Sequence, residues 1–398
     1  MRRDEAARAT AGLAVLLLPY FGVFTVIPLA VISLLDRSTR TLSVSLALLT
    51  FLGWVLGFTP LELPLYVVAL SFVVSTFPAV VFNRYKTLLG SLVYLASAIV
   101  IGYPVALLAS SGSVSPEKIL FLTTLGSLSG AFLLSAASER DFAVPFGSCM
   151  VMWFFCFSYP LPSIQQMLLI YIFALVLGVS AYWLKVADVE AVLSEILICF
   201  LVVLFGGIIW FMLLLCFYLL GSGFTKYKYT QKLELRIAQA RGGVRGYRNV
   251  YSNSLVPLGL AICFGAYGND LFVFAFLGAV ATATGDTLAS EIGETSRTRP
   301  RMITTFRQVD PGVDGGVTLL GEASGLFGAT IIGILALAAE MTGHSGFLAS
   351  VIGGFLGTNF DSLLGATVQR RGRLSNDGVN LLSTLFGAIV GGALYYLL

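Results

Sequence analysis

Runs of about 20 apolar residues, each long enough to cross a bilayer as a helix, recur along the whole chain. They lie at 12–35, 42–58, 63–82, 88–109, 119–137 and 142–159, then at 167–184, 189–224, 250–267, 271–292, 317–341, 346–368 and 379–398. The run 189–224 is too long for one crossing and is expected to break at Gly206-Gly207, which gives roughly thirteen or fourteen spans. Of the 398 residues 57% are hydrophobic and 11% charged, against about 25% charged in soluble domains. The chain therefore reads as an all-α, polytopic integral membrane protein. A net charge of +3 gives no sign of a nucleic-acid partner.

Pro160-Leu161-Pro162 marks a boundary between a first part, 1–160, with about six spans, and a second, 165–398, with seven to eight. The first part carries only scattered charges, such as Arg37, Glu139 and Arg140, and no catalytic constellation. It reads as a scaffold, a surface for a homodimer or a lipid-facing extension. No removable signal peptide is expected, because the first apolar run is too long for one.

In the second part the charge is concentrated. The segments 226–248, 297–307 and 370–373 hold seven, four and three Lys/Arg, fourteen of the chain's twenty-four. Two spans separate each segment from the next, so all three fall on one side. The positive-inside rule makes that side cytoplasmic, at the plasma membrane. The intervening turns at Gly268-Asn269-Asp270 and Thr342–Ser345 lack Lys and Arg, as this topology requires. The basic segment 226–248 itself reads as topogenic or as an anionic-lipid contact.

Against this background the stretch Thr282–Gly321 stands out. It begins as the end of an apolar helix and acquires Asp286, Thr287, Ser290, Glu291 and Glu294 while still helical. At helical spacing these five fall within about 140° of one another, with Leu288, Ala289 and Ile292 on the other side. Asp361 lies near the same end of its own helix, with Gln369 and Ser362 on its face. The following helix brings Asn376, Asn380, Ser383 and Thr384, and the helix after Arg248 brings Asn249, Ser252 and Asn253. Four helix ends thus carry polar groups to one depth.

Ionisable groups in membrane helices cost at least about 2.5–3.5 kcal/mol at mid-bilayer and mark functional sites by default. At helix C-termini the macrodipole favours a bound cation, and Mg²⁺ held by one or two carboxylates plus substrate phosphates suits Asp286 and Asp361. The alternative is that these carboxylates pair with loop arginines and tie helices together. Glu322 and Glu340 stand alone on their helix and read as structural or interfacial.

In the loop that follows, Arg299, Arg301 and Arg307 suit a phosphate clamp, with Thr304 and Thr305 as hydrogen-bond donors. Gly312, Gly315 and Gly316 precede a helix whose N-terminus suits an anion. Neither GxxxxGK[ST] nor GxGxxG occurs, which excludes a Walker loop and a Rossmann turn. The five cysteines sit in apolar runs and read as small buried hydrophobes. The single histidine, His344, lies in the turn on the far side, so a His-dependent site is not expected.

Six blocks, GSGFTKYKY (221–229), RNVYSNSLVP (248–257), GDTLASEIG (285–293), PRMITTFRQVDPGVDGGVTLLG (300–321), DSLLGAT (361–367) and SNDGVNLLS (375–383), resemble in order the integral membrane family known as domain of unknown function 92. That family includes the plant phytyl-phosphate kinase of vitamin E synthesis and is in turn similar to the CTP-using dolichol kinase, phytol kinase and CDP-diacylglycerol synthase. The resemblance spans about 165–398 and leaves 1–160 uncovered. It implies Asp286, Thr287 and Glu291 near metal and triphosphate, and Arg301, Thr304, Thr305, Gly315 and Gly316 lining the nucleotide. Asp361 and Asn380 would complete the site. Asp314 stands where the family pattern has Asn, and Leu288 where it has Trp.

The resemblance implies a Mg²⁺-dependent kinase using CTP or another nucleotide. It would convert a membrane-held prenyl phosphate, such as phytyl or geranylgeranyl phosphate, to the diphosphate at the cytoplasmic face. A polyprenol kinase or a cytidylyltransferase keeps the site and changes the acceptor or product. A transporter or lipid flippase is the non-enzyme alternative, although both acidic motifs lie at one membrane face rather than at the midplane expected of a transporter.

Overall fold

The computed structural model describes residues 3–84 and 87–398, and almost all regular structure in them is helical. Eleven helices among the described residues are long and apolar enough to cross a membrane. Three shorter ones, Leu65–Ser75, Arg140–Phe154 and Val189–Phe205, account for the remaining expected runs. The chain divides into two compact units, Met1–Ile172 and Phe173–Leu398, with the division falling inside the helix Ile164–Trp183.

In the first unit the core is built around the helix Leu65–Ser75, buried from Val67 onward, and the helix Pro116–Ala136, buried continuously from Ile119 to Ala131. Several of its hydroxyls are spent locally: Ser71, Ser75, Thr123 and Ser148 each donate to the carbonyl one turn earlier. This is how Ser and Thr enter an apolar helix without an unpaired donor. Lys118 donates to the Phe157 carbonyl at 2.9 Å and lies 3.7 Å from the centre of the Tyr159 ring.

The second unit comprises α1 (Val189–Phe205), α2 (Ile208–Lys226), the short α3 (Tyr229–Glu234), α4 (Tyr247–Tyr267), α5 (Leu271–Gly293), α6 (Leu319–Ala338), α7 (His344–Leu364) and α8 (Asn376–Tyr395). The long apolar run does break at Gly206-Gly207, where Gly207 adopts φ +93°, a conformation open to glycine at little cost. A two-residue antiparallel hairpin, β1 (Arg301–Met302) with β2 (Gly316–Val317), fills the α5–α6 connection that the sequence reads simply as a loop.

Helix α5 is the axis of this unit and packs on α6, α7 and α8 at once. Small residues make that possible, since lipid tails supply no hydrophobic drive between helices and close van der Waals packing must do so. A Cβ added at Gly278 would stand 2.2 Å from the Gly387 carbonyl oxygen, and one at Gly285 would stand 2.9 Å from that of Gly325. Thr282 joins α5 to α7 by a hydrogen bond to the Gly353 carbonyl at 3.3 Å. The C-terminal ends of α5 and α7 and the N-terminal ends of α4, α6 and α8 come together at one end of the bundle.

Candidate functional site

That end holds a cavity of about 280 Å³. Asp286, eight residues before the α5 C-cap Glu294, and Asp361, in the last turn of α7, both line it. Their carboxyl groups are within hydrogen-bonding reach of each other. The Ser383 hydroxyl on α8 donates to Asp361 Oδ2 at 2.9 Å and fixes that carboxylate from the third helix. Neither aspartate forms an ion pair among the described residues. Two carboxylates this close repel unless a cation or a proton lies between them. The alternative of loop arginines tethering these two groups is therefore absent from the described geometry.

Glu291 behaves differently. Lys232, on α3, forms a buried ion pair with Glu291 Oε2 and also donates to the Phe224 carbonyl. Thr225 and Gln239 each donate to Glu291 Oε1 at 2.8 Å. A buried carboxylate with its charge matched and its lone pairs occupied is held in place by what surrounds it, so Glu291 serves here to fix the 226–239 segment over the site. Glu291 still lines the cavity, and the segment 226–248, read from the sequence as topogenic or as an anionic-lipid contact, supplies Lys232 to this buried pair. Glu294, just past the end of α5, has its carboxyl pushed up to about 7 by burial, with the Glu291 charge adding to the effect and Lys232 opposing it.

Of the residues singled out in the sequence, Asp286, Thr287, Ser290, Glu291, Asp361, Gly312, Gly315, Gly316, Asn376 and Asn380 stand on the cavity wall. Arg299, Arg301, Thr304, Thr305, Arg307 and Asn253 do not. The hairpin explains the arginine loop. Side chains alternate across a strand, and with Met302 buried Arg301 points out, donating to the Phe306 carbonyl at 3.1 Å. Arg299, Thr304, Thr305 and Arg307 are exposed on the same loop. Asn253 is buried one turn into α4 and bonds back to the Asn249 carbonyl at 3.0 Å.

Glycine is required where the loop meets α7. Gly315 has φ +77°, and a Cβ there would stand 2.5 Å from the Ala366 backbone nitrogen. Ala366 belongs to a π-helical turn, Gly365–Gln369, that ends α7 and lets the loop settle beside Asp361. The Gly316 N–H is spent within the loop on the Val313 carbonyl at 2.9 Å, so it is not a free anion donor. Two helix starts stand beside the cavity instead: Thr318 caps α6 by accepting from the Gly321 N–H, and Ser375, next to Asn376, caps α8 by accepting from the Gly378 N–H.

Glu322, Gln239 and Arg245 stand on the wall although the sequence did not assign them to the site. Glu322, read there as structural, lines the cavity and accepts from Asn359 Nδ2 at 3.1 Å. Gln239 and Arg245 come from the segment read as topogenic. Only tertiary contacts bring them in: the Arg245 N–H donates to the Val186 carbonyl at 2.9 Å, and its carbonyl accepts from the Asp188 N–H at 3.2 Å. Burial weakens the Arg245 guanidinium's hold on its proton. The wall carries six carboxyl residues, Asp286, Glu291, Glu294, Asp314, Glu322 and Asp361, and one cationic residue, Arg245.

The chain is similar to the uncharacterized membrane protein MJ0933 of Methanocaldococcus jannaschii, 31% identical over 242 residues that cover 58% of this chain and 97% of that one. It is similar to the uncharacterized membrane protein sll0875 of Synechocystis sp., 30% identical over 46% of this chain and 76% of that one. The chloroplastic protein VTE6 of Arabidopsis thaliana is 28% identical over 45% of this chain and 56% of its own length. No solved structure matches the chain. The model of the family described as integral membrane protein DUF92 matches residues 172–388, which take in the second unit up to residue 388 and every residue of the cavity wall, and the chain belongs to that family.

Proposed function

We propose that the protein is a phosphotransferase of isoprenoid lipids, moving the terminal phosphoryl group of CTP to a prenyl monophosphate to give the diphosphate at the cytoplasmic face. The observation that carries this reading is the meeting of Asp286 and Asp361 in one cavity with no protein cation between them. Six carboxyl residues on the wall would repel a bare triphosphate. A nucleotide enters such a cavity as its complex with a divalent cation.

The donor set fits Mg²⁺: hard carboxylate oxygens from two helices, with room for substrate phosphates. Among the described residues no group of three or more His, Cys, Asp or Glu is arranged to hold a metal, so a cation held by Asp286 and Asp361 would draw its other ligands from phosphate and water. Bound there, Mg²⁺ would neutralise charge on the transferring phosphoryl group.

The remaining chemistry asks little of the protein. An oxygen of the prenyl phosphate attacks the terminal phosphorus of the nucleotide in line. The bond from that phosphorus to the bridging oxygen breaks, and its electron pair leaves with the nucleoside diphosphate. A phosphate monoester is already an anionic nucleophile, so no general base is needed. Ser383 keeps Asp361 oriented, and the starts of α6 and α8 present N–H groups and the positive ends of their dipoles to phosphate oxygens. At about 280 Å³ the cavity lies near the lower edge of the range for ligand sites, roughly 300–1,000 Å³. Phosphate groups fit it, while a long isoprenoid tail would lie between helices in the bilayer.

The test gives purified protein a prenyl monophosphate, Mg²⁺ and CTP, and expects prenyl diphosphate and CDP. Release of pyrophosphate would make it a cytidylyltransferase, and phosphorylation of a polyprenol would change the acceptor. If every nucleotide and acceptor fails, while lipid or ion flux appears in liposomes without nucleotide, the protein is a transporter.

A further inference from the structure

Arg245 is the one cation on the cavity wall among the described residues, and the fold leaves it unspent. The residue is 8% exposed. Of its five N–H donors, one has an acceptor, Asn249 Oδ1, 3.3 Å from Nη1. Among the described residues no carboxylate lies within 4.0 Å; the charges of Glu195 and Glu291 reach it only from farther away. A desolvated cation without a matched partner is costly to a fold, and this one is nonetheless held in place.

The rigidity has identifiable sources. Residues on both sides of Ala187 clamp the Arg245 backbone. The guanidinium carbon lies 5.1 Å and 5.2 Å from the centres of the Phe217 and Tyr218 rings. Gly221 of α2 clears its path, because a Cβ there would collide with Nη2. A planar fork with free parallel N–H groups, pinned in a cavity, matches the oxygens of a phosphate.

We propose that Arg245 is a phosphate-binding residue of this cavity, its guanidinium fork receiving two oxygens of a phosphate ester. The choice of ligand rests on the phosphoryl-transfer reading, and the phosphate belongs either to the lipid substrate or to the nucleotide. On a wall otherwise lined with carboxylates, this fork is the direct protein counterpart for substrate charge. Asn249, one turn along α4, takes up one N–H and sets the plane of the rest.

Binding to the full-length protein in nanodiscs tests the assignment. The ligands are geranylgeranyl monophosphate, geranylgeraniol, CTP with Mg²⁺, and cytidine; the proteins are the wild type, Arg245→Gln and Arg245→Lys. Wild type should prefer at least one phosphate compound over its phosphate-free counterpart. In Arg245→Gln that compound should bind at least about tenfold more weakly, as expected for loss of charge-assisted hydrogen bonds. Affinity for geranylgeraniol should stay within about twofold. A loss confined to geranylgeranyl monophosphate names the lipid phosphate as the ligand; a loss confined to CTP names the nucleotide. Arg245→Lys, which keeps the charge and loses the fork, is read by the same criterion if the Gln variant does not fold.

The inference is overturned by a smaller loss, by a parallel loss for geranylgeraniol, or by a wild type with no preference for phosphate. A wild type that binds phosphate through Arg245 yet forms no diphosphate removes phosphoryl transfer and leaves this inference standing.

Discussion

Asp286 and Asp361 were legible as candidates because each interrupts an apolar run, and a carboxyl group at membrane depth is too costly to be retained without a use. Their shared geometry predicts a shared phenotype. Asp286→Asn or Asp361→Asn should lower the rate of diphosphate formation about 10²–10³-fold, the scale seen when one group stabilising transition-state charge is lost. The measurement is initial rate in purified protein whose thermal unfolding matches the wild type.

Glu294 supplies a pH test. Its carboxyl ionises near 7 in the folded protein, against roughly 4.3 in an unfolded chain. Between those two values the folded state holds a proton that the unfolded state has released, so this residue makes stability fall as pH rises from about 4 to 7. Above that window a constant penalty remains, on the order of 1–2 kcal/mol once solvent screening is allowed for. Glu294→Gln should therefore unfold at a higher temperature than the wild type at pH 8 and at the same temperature at pH 4. Arg245, in contrast, was not legible, since nothing in a basic connector distinguishes the one arginine whose backbone is clamped from those that remain in solvent.

At the scale of elements, helix positions followed from the length of apolar runs, and the break at Gly206-Gly207 from the length limit that a bilayer places on one helix. The arginine loop did not follow, because strand alternation rather than composition decides which side chains of a hairpin face inward. Met302 takes the inner position and Arg301 the outer. Glycines too divide by their surroundings. Gly278→Leu should destabilise the protein by at least about 1–3 kcal/mol, because the α5–α8 approach leaves no room for a side chain. Gly259 has open space around its missing Cβ, so Gly259→Ala should be neutral or stabilising by roughly 0.5–1 kcal/mol. Thermal unfolding of the two variants in the same detergent checks both.

On the scale of the molecule, the second unit places its connectors in two sets. The connectors after α2, α5 and α7 share the cavity end, and the α4–α5 and α6–α7 turns lie at the other. Single cysteines introduced at 242, 298 and 371 in a chain lacking its own five should react with an impermeant thiol reagent from one side of the membrane. Those at 269 and 343 should react from the opposite side. Labelling of 298 and 371 from different sides would separate the two acidic helix ends and remove the phosphoryl-transfer reading.

The sequence by itself determined that the chain is a membrane bundle, where its helices run, and that Asp286 and Asp361 lie at one depth with the loop glycines. Hydropathy and helical period are local properties, and one sequence is enough to read them. Tertiary structure alone decided which charges are spent and which are left for a ligand. Lys232 closes on Glu291, Arg301 turns outward and Arg245 stays unmatched on the cavity wall. Those outcomes depend on distances between residues far apart in the chain, and electrostatic energies in a desolvated cavity change steeply over a few ångströms.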